Sequence, residues 1–152
     1  MEYNSAIDLP GFFGDLVRCE TRLYNALNDR LRERHGIVTS QFEFLRYLRE
    51  HPGSRVADLA VEFAIGIGAT SKAADRLEKQ GWVARQANPS DRRSSLLVLT
   101  EDGRRLVDAA EATFTDRLGE LIADLPSLTD MARAFAGLRA ALERDQIGMP
   151  SG

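Results

Sequence analysis

The sequence predicts a mainly α fold with a small β-hairpin wing: a winged helix-turn-helix flanked by long dimerisation helices. Three features point to it. Apolar residues recur at three- and four-residue steps through most of the 152 residues. Two short candidate helices meet at a glycine-containing turn, Ile65-Gly66-Ile67-Gly68, as a helix-turn-helix requires. The period then changes to a strand-like one on either side of a charged, turn-forming stretch, Ala87 to Arg93.

The first helix is read from Leu9, Phe12, Phe13, Leu16, Val17, Leu23, Tyr24, Leu27 and Leu31, with Asp8 as N-cap, Pro10 in the first turn and Gly36 as terminator. Ser40-Gln41-Phe42-Glu43 has the form of a capping box and opens a second helix that His51-Pro52-Gly53 stops. Ser54 is expected to cap a third helix, Arg55 to about Ala64. A fourth runs from about Ile67 to Gln80 and closes at Gly81. Trp82–Arg85 and Ser95–Leu99 are the strand candidates. Thr100 caps a long fifth helix that Pro126 breaks, and a last helix spans about Leu128 to Gln146. The expected division is a winged helix-turn-helix at 37–103, a helical dimerisation region at 1–36 and 104–147, and a flexible tail at 148–152.

Composition excludes several function classes. One cysteine rules out an internal disulfide framework and a multi-cysteine zinc site, and two histidines leave too few ligands for a histidine-rich metal centre. Apolar runs are far shorter than the ~20 residues of a membrane span, and the N-terminus lacks the pattern of a signal peptide, so a cytoplasmic protein is expected. The chain has 18 arginines against two lysines, which points to a G+C-rich bacterial genome. No nucleophile triad, phosphate-binding glycine loop or metal spacing is present, so neither catalytic residues, nor a metal, nor a cofactor is expected. Formal charge is −3 overall, but Thr70 to Thr100 holds six basic and three acidic residues in an otherwise acidic chain. A basic module in an acidic body is the footprint expected of a polyanion-binding surface.

Three linked motifs sharpen this. They are Asp75-Arg76-Leu77-Glu78-Lys79-Gln80-Gly81-Trp82-Val83, then Asn88-Pro89-Ser90-Asp91-Arg92-Arg93-Ser94, then Leu97-Val98-Leu99-Thr100-Glu101-Asp102-Gly103. In order and spacing they resemble the multiple-antibiotic-resistance regulator (MarR) family. The resemblance implies a homodimeric regulator that binds double-stranded DNA and is often released by a small ligand or by oxidation.

On that expectation the start of the fourth helix reads bases in the major groove through Gly68, Ala69, Thr70, Ser71 and Lys72, with Arg76 reaching further. Gly66, where many family members place a capping side chain, lacks a hydroxyl for phosphate. In the wing the resemblance implies that Asp91 pairs with Arg93 to brace the loop, while Arg92 enters the minor groove. Arg85, Asn88 and Ser90 complete the hairpin's candidate contacts. Ser54 and Arg55 stand where a helix N-terminus can meet phosphate, although plain capping also accounts for Ser54.

Leu9, Phe12, Phe13 and Leu16, with Leu118, Leu121, Ile122, Phe135, Leu138 and Leu142, are the candidate dimer interface, because one winged helix cannot bury them. Dimerisation sets two reading helices about one DNA turn apart, ~34 Å, and so prescribes a pseudo-palindromic site. Arg18, Arg22, Tyr24, Phe44 and Tyr47 could line a cleft for a small aromatic or acidic effector. Aromatic residues at helical spacing more usually belong to a core, and that is the stronger reading. Cys19 invites a peroxide-sensing role, but it lies more than a helical turn from where related sensors carry their cysteine, and an ordinary thiol is the preferred reading. His35 and His51 are read as helix-end residues. The reading from another class is a winged-helix protein-interaction module without DNA binding, against which Arg92, Arg93 and the open start of the fourth helix argue.

Overall fold

The computed structural model describes residues 6–151. Met1 to Ser5, used above for the expectation about a signal peptide, and Gly152 of the expected tail lie outside the described residues. The elements are α1 (Leu9–His35), α2 (Thr39–Glu50), α3 (Val56–Phe63), α4 (Ile67–Lys79), β1 (Val83–Ala87), β2 (Ser95–Leu99), α5 (Glu101–Ile122) and α6 (Leu128–Arg144). This is the mainly helical, winged architecture that the periodicities predict.

Local chemistry explains the boundaries. The Asp8 side chain accepts from the Gly11 amide, and Gly36 ends α1 in the left-handed region at φ 68°. The expected Ser40–Glu43 box does not form. Instead α2 starts two residues after Ile37: Gln41 Oε1 accepts from the Val38 amide at 3.0 Å, and Asn28 of α1 accepts from the Thr39 amide at 2.8 Å. Burial of Ile37 and Thr39 pulls the helix start earlier and leaves Ser40 in solvent. Similarly, Ser54 is not the cap of α3. Arg55 holds that position, and the Ser54 hydroxyl donates to the His51 carbonyl at 2.7 Å.

Leu31, Ile37, Leu45, Leu48, Leu59, Leu77, Leu97 and Val107 form a core shared by α1–α5 and the hairpin. The antiparallel β1–β2 pair runs in register from Val83↔Leu99 to Ala87↔Ser95. A third short stretch extends it, since Ser54 bridges Leu97 (Leu97 N to Ser54 O, 2.7 Å). The hairpin is therefore anchored to the turn before α3.

The junction between hairpin and α5 explains the third motif. The Thr100 amide donates to the Trp82 carbonyl at 3.0 Å, its hydroxyl donates to the Gly81 carbonyl, and the same hydroxyl oxygen accepts from the Gly103 amide. Gly103 packs so closely on this strand that a Cβ would stand 2.0 Å from the Trp82 carbonyl oxygen.

α6 ends at Arg144, two residues earlier than expected, and buries none of its residues. His35 ends α1, as expected, and its Nε2 lies 2.7 Å from Thr113 Oγ1, tying that end to α5.

Candidate nucleic-acid interface and adjoining cleft

The first turn of α4 is presented by a short turn that reverses at Ala64, which adopts φ 51°. Gly66 is the N-cap of α4, in extended conformation, and open space surrounds both Gly66 and Gly68. Gly68, Ala69, Lys72 and Arg76 are exposed and Ser71 is half-buried. Thr70 differs. It is fully buried, and its hydroxyl donates to the Gly66 carbonyl at 2.8 Å, so it shapes the helix start and does not face outward. A β-branched residue at that position folds inward because it fills the space against the core. The outward chemistry therefore rests on Ser71, Lys72 and Arg76.

The wing turn is built by side-chain-to-backbone bonds. Asn88 Oδ1 accepts from the Ser90 amide at 3.0 Å, and its Nδ2 donates to Ser94 Oγ at 3.0 Å. Asp91 accepts from the Arg93 backbone amide at 2.9 Å, so the expected pairing of Asp91 with Arg93 is made through the backbone. Arg92 and Arg93 sit exposed on a loop whose shape does not depend on them. Asn88 and Asp91 are thus bracing residues.

Arg85 is also placed differently from the expectation. Its guanidinium donates to Asp75 of α4 at 2.5 Å and to Ser95 Oγ at 3.2 Å, and approaches Glu78 at 3.6 Å. It joins wing to helix and offsets the two carboxylates that α4 carries among its cations. Ser54 is buried and its hydroxyl is committed to His51. Arg55 remains exposed but closes on Asp58 at 2.8 Å, and that guanidinium, with the Arg55 amide, holds the Asp58 carboxyl below the usual carboxylate range. An exposed pair of this kind is screened by water and adds little to stability, so it can open for a phosphate.

Behind this face α2, α3, α5 and α6 enclose a cleft of about 900 Å³. Its aromatic walls include Phe42, stacked on Phe114 at 4.6 Å, and Tyr47, stacked on His51 at 4.2 Å. Of the expected effector residues only Tyr47 lines it. Phe44 is buried against Phe63, Arg18 folds back on the Gly14 carbonyl, and Arg22 is exposed on α1. Tyr24 reaches the cleft indirectly, through a hydrogen bond to Glu43. The arginines actually present are Arg46, Arg49 and Arg139, which the sequence reading missed. A signal existed: Arg46 and Arg49 on α2 repeat the spacing of Asp108 and Glu111 on α5, and the pairs meet across the interface.

The other expected residues lie along the helices outside this body. Leu9, Phe12, Phe13, Leu121, Phe135, Leu138 and Leu142 are exposed, with Phe13 at 63%, while Leu16, Leu118 and Ile122 are half-buried. Cys19 is exposed on α1. Among the described residues no helix is long and apolar enough to cross a membrane, and no group of three metal-ligating side chains is found.

Residues 37–95 match the family model described as MarR family. An uncharacterised HTH-type transcriptional regulator of Bacillus subtilis, YxaD, is 32% identical over 95 residues, covering 62% of this chain and 66% of that protein. The chain spans 46% and 41% of the lengths of two further Bacillus subtilis regulators. Among solved structures, an Escherichia coli MarR cysteine-to-serine variant complexed with operator DNA superposes with TM-score 0.73 at 27% identity, over 85% of this chain and 92% of that one. CouR of Rhodococcus jostii RHA1 bound to p-coumaroyl-CoA superposes with TM-score 0.75 at 27% identity, over 91% and 95%. With the motifs on α4, the wing and α5 arranged as a winged helix, residues 37–95 carry the pattern of the MarR family of transcriptional regulators, and the chain as a whole is similar in fold to its members.

Proposed function

We propose that the chain is a dimeric, sequence-specific DNA-binding transcription regulator, acting as a repressor on a pseudo-palindromic operator and released by a small molecule. The observation that carries this is the coupling of two exposed cationic features on one rigid unit. Ser71, Lys72 and Arg76 project from α4, Arg92 and Arg93 from the wing tip, and Arg85 ties the two elements together. Helix side chains enter the major groove, and the wing arginine enters the flanking minor groove, where a narrow, negative channel favours a guanidinium. Lys72, Arg93 and the Arg55 end of α3 serve phosphates.

The apolar stripes of α1 and α6 support the dimer. Large residues exposed along both helices need a second copy to leave water, and pairing them sets two α4 helices against successive turns of DNA. The cleft between α2 and α6 supports effector control, because it joins the DNA-reading body to the helices that pair the chains. MarR bound to operator DNA and CouR bound to p-coumaroyl-CoA are the relatives that support the two halves of this reading. The protein works in the cytoplasm with the chromosome, without catalysis or cofactor.

The test is selection from a random duplex library. An enriched inverted repeat with half-sites about one turn apart supports the reading. Absence of any enriched sequence overturns it.

A further inference from the structure

Resting on the proposal that the cleft behind the DNA-reading body is an effector site, we infer that its ligand is an aromatic organic cation, held by the Glu43 carboxylate, and not an aromatic acid. Charge balance leads there. Arg49 is held by Glu111 at 2.7 Å and Asp108 at 2.8 Å, with Glu50 at 3.7 Å. Arg46 donates to the same Glu111 at 2.9 Å and lies 3.6 Å from Glu50. Arg139 donates to Glu62 at 2.6 Å and to Glu143 at 2.5 Å. Each guanidinium already faces at least two carboxylates, so an incoming anion would have to displace a charge-assisted bond before gaining one.

Glu43 is the carboxylate left over. It lies on the cleft wall, half-buried, and its hydrogen-bond partner is the neutral Tyr24 hydroxyl. Burial pushes its carboxyl above the ordinary range, against the pull of the Tyr24 bond, with Glu20 adding repulsion; Arg139 and Arg46 act on it only from a distance. A cation would supply the missing counter-charge. The half-buried rings of Tyr47, Phe63 and Phe114 on the cleft wall offer it the apolar and quadrupolar surface on which organic cations bind.

The experiment uses the full chain and two matched probes, benzyltrimethylammonium and benzenesulfonate, titrated by calorimetry into wild type and Glu43→Gln. Glutamine keeps the shape and the Tyr24 contact. The cation is expected to bind wild type at least tenfold more tightly than the sulfonate, and to lose at least tenfold in Glu43→Gln with the melting temperature equal to or above that of wild type. Equal or tighter sulfonate binding to wild type overturns the inference without recourse to the variant, as does a cation affinity unchanged by Glu43→Gln. DNA binding is measured in parallel. Operator binding with no cation binding defeats this inference alone, whereas cation binding without any DNA binding defeats the regulator reading and leaves the site.

Discussion

The Cα of Gly103 rests against the Trp82 carbonyl, with no room for a side chain between them: a Cβ there would lie 2.0 Å from the oxygen and 2.9 Å from the carbonyl carbon. The contact holds the wing's first strand against the first turn of α5, where Thr100 bonds to both Gly81 and Trp82. Gly103→Ala must push backbone apart, which costs about 3 kcal/mol or prevents folding. Gly68→Ala, in open space on α4, is expected to raise stability by about 0.5–1 kcal/mol. Urea denaturation of the two variants checks both signs.

Arg92 and Arg85 set the proposed DNA contact beside an internal tie. Arg92→Ala is expected to weaken operator binding by about 1–3 kcal/mol and to lower the salt slope by about 1. Arg85→Ala loosens the wing from α4 and leaves the exposed Asp75 and Glu78 without that counter-charge. It weakens binding too, and Asp75→Asn placed on top of it recovers part of the loss. Fluorescence anisotropy over a potassium chloride series distinguishes the two. Arg85→Ala with no rescue by Asp75→Asn would make Arg85 a direct contact.

Two carboxyls give opposite pH signatures. Glu43 is raised by burial, so the unfolded chain ionises it first and folded stability falls as pH rises from about 4.3 through the folded value. Glu43→Gln is therefore more stable than wild type at pH 7, and the gain shrinks towards pH 4. Glu111 is lowered by its bonds to Arg49 and Arg46, so its contribution is present above about pH 4.3 and is lost as pH falls through the folded value. Glu111→Gln is less stable than wild type at pH 7, and the deficit closes in acid. Thermal melts between pH 3.5 and 7.5 read both.

The apolar stripes predict their own variants. Phe13→Asp or Leu138→Asp places a charge on the exposed face of α1 or α6, where it removes nothing from the core. Each is expected to convert a dimer to a folded monomer in sedimentation velocity and to weaken operator binding strongly. A wild type that sediments as a monomer at micromolar concentration would contradict the pairing.

Much of this molecule is legible in its sequence. Asp8, Gly36 and Thr100 act as caps where spacing places them, because capping depends only on near neighbours. The misreadings share a cause. Ser40–Glu43 has the form of a box, but Ile37 and Thr39 are buried and Glu43 turns to Tyr24 of another helix. Thr70 occupies a position from which a reading helix faces outward, and the core takes it. Arg85 finds its carboxylates across a strand-helix junction, and the cleft draws Arg46, Arg49 and Arg139 from two distant helices in place of Arg18 and Arg22. Local pattern reveals elements and ends. Which polar side chains meet is decided by packing between elements.

The central claim, a dyad-symmetric pair of winged helices reading DNA, is met most directly by binding the library-selected duplex at a series of salt concentrations and weighing the complex by light scattering. Two chains per duplex, bound with an affinity that falls steeply as salt rises, is the predicted result. One chain per duplex, or an affinity indifferent to salt, would contradict it.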